Sequence, residues 1–194
     1  MNSSEEGLAL GSLHRAEMRI TSLIRTPFAV GEEAGGVAFD GLVRWVVGAP
    51  ACTRFEISLL GVSEMDDAFA RASIARLAHR FKSRRGFTVS GISSSTLIDV
   101  LDAAAFEVGA PIAVREGDYL RLAGLEPSEC HRETFEFALT KECFNAREYA
   151  NSVAGLKLAT ANKRIQNLLN QGLLIRHRSN RSSRHRGFRY SAIG

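Results

Sequence analysis

The chain has 194 residues, 45% hydrophobic and 24% charged, which is enough apolar material for one medium or two small cores and excludes a disordered chain. Its net charge of +4 conceals an asymmetry: residues 151–194 hold nine basic residues and no acid, while the first 150 hold all twenty-one acids against sixteen bases. No window is apolar for long enough to cross a bilayer, and the opening MNSSEEGLALG lacks the basic and greasy regions of a secretion signal, so a cytoplasmic location and no membrane contact are expected. Cys52, Cys130 and Cys143 form an odd set without CxxC spacing, which indicates neither a disulfide framework nor a zinc ribbon.

From the N-terminus, residues 8–30 fit either a strand or a helix period, and Pro27 speaks against a central strand. GGVAFDGLVRWVVGA predicts a helix that turns Val37, Leu42, Trp45 and Val46 toward a core. TRFEISLLGV reads as a buried strand ending in a turn. MDDAFARASIARLAHRFKSRRG follows as a helix with Phe69, Ile74, Leu77, Ala78 and Phe81 on one side, closed by basic residues and Gly86. FTVSGI is a strand, SSTLIDVLDAAAFEVG a helix capped by Ser94 or Ser95, and APIAV with DYLRLAG the last sheet elements. Alternating helices and strands predict an α/β fold with a sheet and flanking helices.

FEISLLGVSEMDDAFARASIARLAHRFKSRRGFTVSGISSSTLIDVLDAA is similar to the STAS family, the domain of anti-sigma-factor antagonists. Gly61-Val62, Asp66 and Arg85-Gly86 carry the resemblance, which implies a STAS-like mixed sheet over residues 1–126 and a protein partner such as a kinase or ATPase at that domain. Where the family has two serines and a glycine, this chain has Asp67, Ala68 and Phe69. The second serine is the family's phosphoacceptor, so Ala68 removes the hydroxyl that a phospho-switch needs. Asp66 and Asp67 are expected to act as helix caps.

No GxSxG, HExxH or phosphate-cradling glycine loop occurs, and GEEAGG at 31–36 lacks the lysine and hydroxyl of a P-loop. Cys130, His131 and Cys143 match no common metal site. Neither enzymatic activity nor a cofactor or metal is therefore expected.

Residues 127–143 are expected to form a linker or docking helix: Pro127 and Ser128 mark a break, and Phe135, Leu139 and Phe144 share a helical face. Beyond it, Asn145 and Glu148 fit a capping box that opens a short helix, Gly155 ends it, and Leu158, Ala161, Ile165, Leu168 and Leu169 form the apolar face of a second helix stopped by Gly172. LLIRHR and GFRYSAI then read as two strands joined by the turn-rich SNRSS.

EYANSVAGLKLATANKRIQNLLNQGLLIR resembles the winged helix-turn-helix domains of bacterial transcription regulators, through Ala150, Gly155, the Thr160-Ala161 pair and Gly172-Leu173. The resemblance implies a DNA-binding domain over 144–194. The polar side of the second helix, with Lys157, Thr160, Asn162, Lys163, Gln166 and Asn167, is then expected to meet base edges and phosphates in a major groove. Arg176, Arg178, Arg181, Arg184, Arg186 and Arg189 are expected to add phosphate contacts from the basic hairpin. The expected protein is a transcriptional regulator that binds double-stranded DNA as a homodimer, with the α/β domain for sensing or dimerisation. The alternative is an adaptor whose STAS-like face binds a protein partner and whose basic tail only localises it on nucleic acid.

Overall fold

The computed structural model describes residues 14–50, 53–117, 119–124, 128–178 and 188–193. In chain order, β1 (His14–Arg19) leads into a short α1 (Ile20–Ile24), β2 (Phe28–Ala29), α2 (Glu32–Gly48), β3 (Thr53–Ser58) and β4 (Glu64–Met65). A long helix follows as α3 (Asp67–Ala70), one π-helical turn (Arg71–Ala75) and α4 (Arg76–Phe81), then β5 (Phe87–Ser90), α5 (Ser95–Val108), β6 (Ile112–Glu116) and β7 (Tyr119–Ala123). The C-terminal part comprises α6 (Glu129–Leu139), α7 (Ala146–Ser152), α8 (Leu158–Asn170), β8 (Leu174–Arg178) and β9 (Phe188–Ala192).

The fold is α/β, with a mixed sheet and flanking helices. Its main sheet has the order β1-β3-β5-β6-β7; the first four strands are parallel and β7 runs antiparallel to β6. The parallel strands lie side by side in chain order, so right-handed crossovers all step the same way and put their helices on one face. The core has that arrangement: Phe55, Ile57, Phe87, Val89, Ile112 and Val114, which share one side of the pleat, join one buried cluster with residues of α2, α3, α4 and α5. Trp45 meets Phe55 edge-on, and Phe55 and Phe81 flank Phe87.

The ambiguous N-terminal stretch divides into β1 and α1. HRAEMR alternates, with Ala16 and Met18 against the core, so it pairs as an edge strand with β3. Pro27 falls after α1, outside the main sheet. Asp66 caps α3, its carboxylate accepting from the Phe69 amide at 2.7 Å and, across the fold, from the Gly31 amide at the start of α2 at 2.9 Å.

Four sequence expectations need correction. Val37 (57% exposed) and Leu158 (43% exposed) lie off the buried stripes of their helices. Ser94 occupies the N-cap of α5, but its exposed hydroxyl makes no capping bond. In α6 the buried residues are Thr134, Phe135 and Ala138, while Leu139 is exposed and Phe144 lies beyond the helix, bridged to Tyr190 of β9.

The second buried cluster gathers α6, α7, α8 and the β8-β9 hairpin around Phe135, Phe144, Tyr149, Ile165, Leu168 and Leu173. The expected capping box at Asn145 and Glu148 is formed, and Gly155 and Gly172 adopt the positive φ values of +73° and +78° that their turns require. This cluster includes Ala113 of β6 and draws in Leu120 and Leu122 of β7, so it sits on the sheet face opposite the helices. Gly86 makes the contact possible: a Cβ there would strike Ile193 and lie 2.7 Å from the Gly172 carbonyl oxygen. Next to it, the Thr88 hydroxyl donates to the Ile193 carbonyl at 3.0 Å.

Candidate nucleic-acid interface

The apolar stripe of α8, Ala161, Ile165, Leu168 and Leu169, is buried against its own cluster, which fixes the outward side of the helix. Lys157, Thr160, Asn162, Lys163 and Gln166 are exposed there. Gln166 donates to Asn170 at 2.9 Å within the same surface. The first turn of α8 has no acid to repel a phosphate.

Asn167 is placed differently. Its amide nitrogen lies 3.0 Å from Nε2 of His131 on α6, whose Nδ1 is 2.8 Å from the Ser128 hydroxyl. An amide N–H donated to Nε2 leaves the ring proton on Nδ1, to be given to Ser128. Asn167 therefore helps hold α8 on α6. Arg164 has a related role on the same flank, donating to the Tyr149 hydroxyl at 3.2 Å and pairing with Glu133 at 3.4 Å, while Tyr149 and Thr134 share a buried 2.7 Å hydrogen bond.

In the hairpin, strands β8 and β9 pair antiparallel, with Arg176 opposite Tyr190 and His177 opposite Arg189. Arg176 is exposed, its guanidinium 4.6 Å from the centre of the Phe188 ring, an aromatic platform that holds the charge out from the strand. Arg189 is half-buried and donates to the Cys143 carbonyl at 3.0 Å. His177 bonds to the Ser191 hydroxyl at 2.8 Å; burial, together with the charges of Arg54 and Arg189, holds its pKa below the ordinary imidazole value. Arg178 ends β8, and Arg181, Arg184 and Arg186 with the SNRSS turn lie outside the described residues.

Comparison of the chain with protein-family models, with curated proteins and with solved structures yields no match. Among the described residues no helix is long and apolar enough to cross a membrane, no three His, Cys, Asp or Glu side chains cluster as a metal site, and Cys130 and Cys143 are free thiols.

One basic cluster has no counterpart in the sequence reading. Arg15, Arg54, Glu56 and Arg115 gather on the sheet face turned toward the hairpin. The signal was present in TRFEIS, where charged residues at 54 and 56 alternate with apolar ones at 55 and 57. A strand read as wholly buried hides that alternation.

Proposed function

We propose that the C-terminal unit is a winged helix that binds duplex DNA, with α8 in the major groove and the β8-β9 hairpin as the wing, and that the protein is a transcriptional regulator. The reading rests on one observation above all: an acid-free, exposed face of α8, carrying Lys157, Thr160, Asn162, Lys163 and Gln166, belongs to the same compact unit as a hairpin with an outward Arg176. Three helices, a short bridge at Phe144 before the second of them, and a terminal antiparallel hairpin follow the winged-helix order. Packing on α6 makes α8 a rigid reader, since Asn167 and Arg164 are committed to holding it in place. Asn162 and Gln166 face outward, and side-chain amides are suited to bidentate contact with adenine. The α/β unit, STAS-like in this reading, serves sensing or dimerisation; a two-fold dimer matches paired half-sites about one helical turn apart.

Duplex binding measured against salt tests the proposal. A surface making about five phosphate contacts gives a log-log slope of about −4 to −5, and a slope near zero overturns it. Asn162→Ala is expected to relax preference at one base position, whereas Arg176→Ala weakens all sequences alike. Equal behaviour of the two variants removes α8 from the role of reader.

A further inference from the structure

We propose that the cleft between the polar face of the main sheet and the end of β9 binds a phosphoryl group, carried by a small metabolite or as inorganic phosphate, through the guanidinium groups of Arg54 and Arg115. The cleft has a volume of about 220 Å³ and is lined by Arg15, Arg54, Glu56, Thr88, Arg115 and Ile193 among others. Three cations thus face one carboxylate. That carboxylate is already committed: one oxygen of Glu56 accepts from the Ser90 hydroxyl at 2.6 Å, and the other is paired with Arg15. Burial alone would raise the Glu56 pKa, but the Ser90 hydroxyl and Arg15, with the charge of Arg115, outweigh it and leave the group ionised below its ordinary value.

Among the described residues, Arg54 and Arg115 have no comparable partner. The Nε of each is buried and makes no hydrogen bond. For Arg54, burial and the like charge of Arg115 lower the pKa, opposed in part by the Glu142 carboxylate. A donor withdrawn from water with nothing to receive it costs about 1–3 kcal/mol, more when charged, and a second guanidinium beside it adds repulsion. An oxyanion seated in the cleft removes both costs.

The arrangement favours a phosphoryl group over a carboxylate. Arg54 stands on β3 and Arg115 on β6, the two strands that flank β5, so donors reach the cleft from two directions. A carboxylate is satisfied by a single guanidinium fork, whereas a phosphoryl group offers three peripheral oxygens and up to two charges. The volume falls below the roughly 300–1,000 Å³ of sites for drug-sized ligands, which limits the occupant to a compact molecule. Ile193, which lines the cleft, is held through its carbonyl by Thr88, so the occupant touches both the sheet and the end of the hairpin.

The test is thermal denaturation and phosphorus-31 NMR titration of the full chain with inorganic phosphate and with glycerol 3-phosphate, ionic strength balanced by chloride and succinate as the dicarboxylate control. At a hundredfold excess over the dissociation constant the melting temperature should rise by roughly 5–10 °C; a larger response to the ester assigns the site to a metabolite, and an equal one to phosphate itself. Arg54→Met and Arg115→Met should abolish the rise while melting, in chloride alone, at or above the temperature of the parent. Arg176→Ala, on the hairpin, should leave the rise intact, which separates this site from duplex contacts. No rise in the parent, an equal rise with succinate, or an undiminished rise in Arg54→Met overturns the proposal and leaves duplex binding untouched.

Discussion

The two faces of the main sheet are built from the same strands and solve different problems. One face carries Phe55, Ile57, Phe87, Val89, Ile112 and Val114 and is sealed by the helices of its own unit. The other carries Arg54, Glu56, Thr88, Ser90 and Arg115 on β3, β5 and β6, and Ala113, Leu120 and Leu122 on β6 and β7; the apolar residues pack into the C-terminal unit, which reaches the polar ones only through Ile193 at Thr88. Strands that advance in one direction cover one face with helices, and the second face must find another cover. Here the cover is partial, and the boundary between dry and charged surface falls at Thr88 and Ile193.

Substitutions at the start of β5 and at Gly86 just before it put this contrast to its hardest test, because neighbouring residues point to opposite faces. Phe87→Ala empties a site between Phe55 and Phe81 and is expected to cost about 3–5 kcal/mol in chemical denaturation. A cost below about 1 kcal/mol would mean that the helical face is not the main core. Gly86→Ala strikes the other face at its closest approach, where the new methyl meets Ile193 and the Gly172 carbonyl; about 1–3 kcal/mol is expected, with hydrogen exchange accelerated first in β9. Unchanged exchange in β9 would break the link between the units.

Thr88→Val removes only the bond to the Ile193 carbonyl, and about 1 kcal/mol is expected from melting curves. The smallest effect concerns pH. The folded His177 binds its proton more weakly than an ordinary imidazole, so the unfolded chain takes up more protons as pH falls below about 6.5. Stability present above that pH is lost on acidification, and His177→Gln should flatten the stability profile below about pH 6.5. Glu56 acts in the same direction in a separate window, its contribution being lost below about pH 4.5, so an Arg15→Ala variant changes only the more acidic limb.

Much of the layout was legible because it is local. The capping box at Asn145, the turns at Gly155 and Gly172, the helix beginning after Asp66 and the two C-terminal strands each follow from a few adjacent residues. Other features depend on distant partners. Asn167 looks like any outward amide until His131 of α6 meets it, and Arg189 looks like one more hairpin cation until the Cys143 carbonyl receives it. Leu139 and Phe144 share a helical period in the sequence, but α6 ends at Leu139 and Phe144 is taken up by the bridge to Tyr190.

Periods, caps and charge division follow from the order of the residues alone: alternating helices and strands, then an acid-free C-terminal segment with one amphipathic helix and two short strands. It takes the packed fold to put the C-terminal unit on the back of the sheet and to gather Arg15, Arg54 and Arg115 around Glu56 beside it. The physical reason is that periodicity reports which side of an element is apolar, whereas the neighbour of a charged side chain is set by which strands lie next to each other. Residues 15, 54 and 115 come to share one face only once four strands, β1, β3, β5 and β6, are ordered in one sheet.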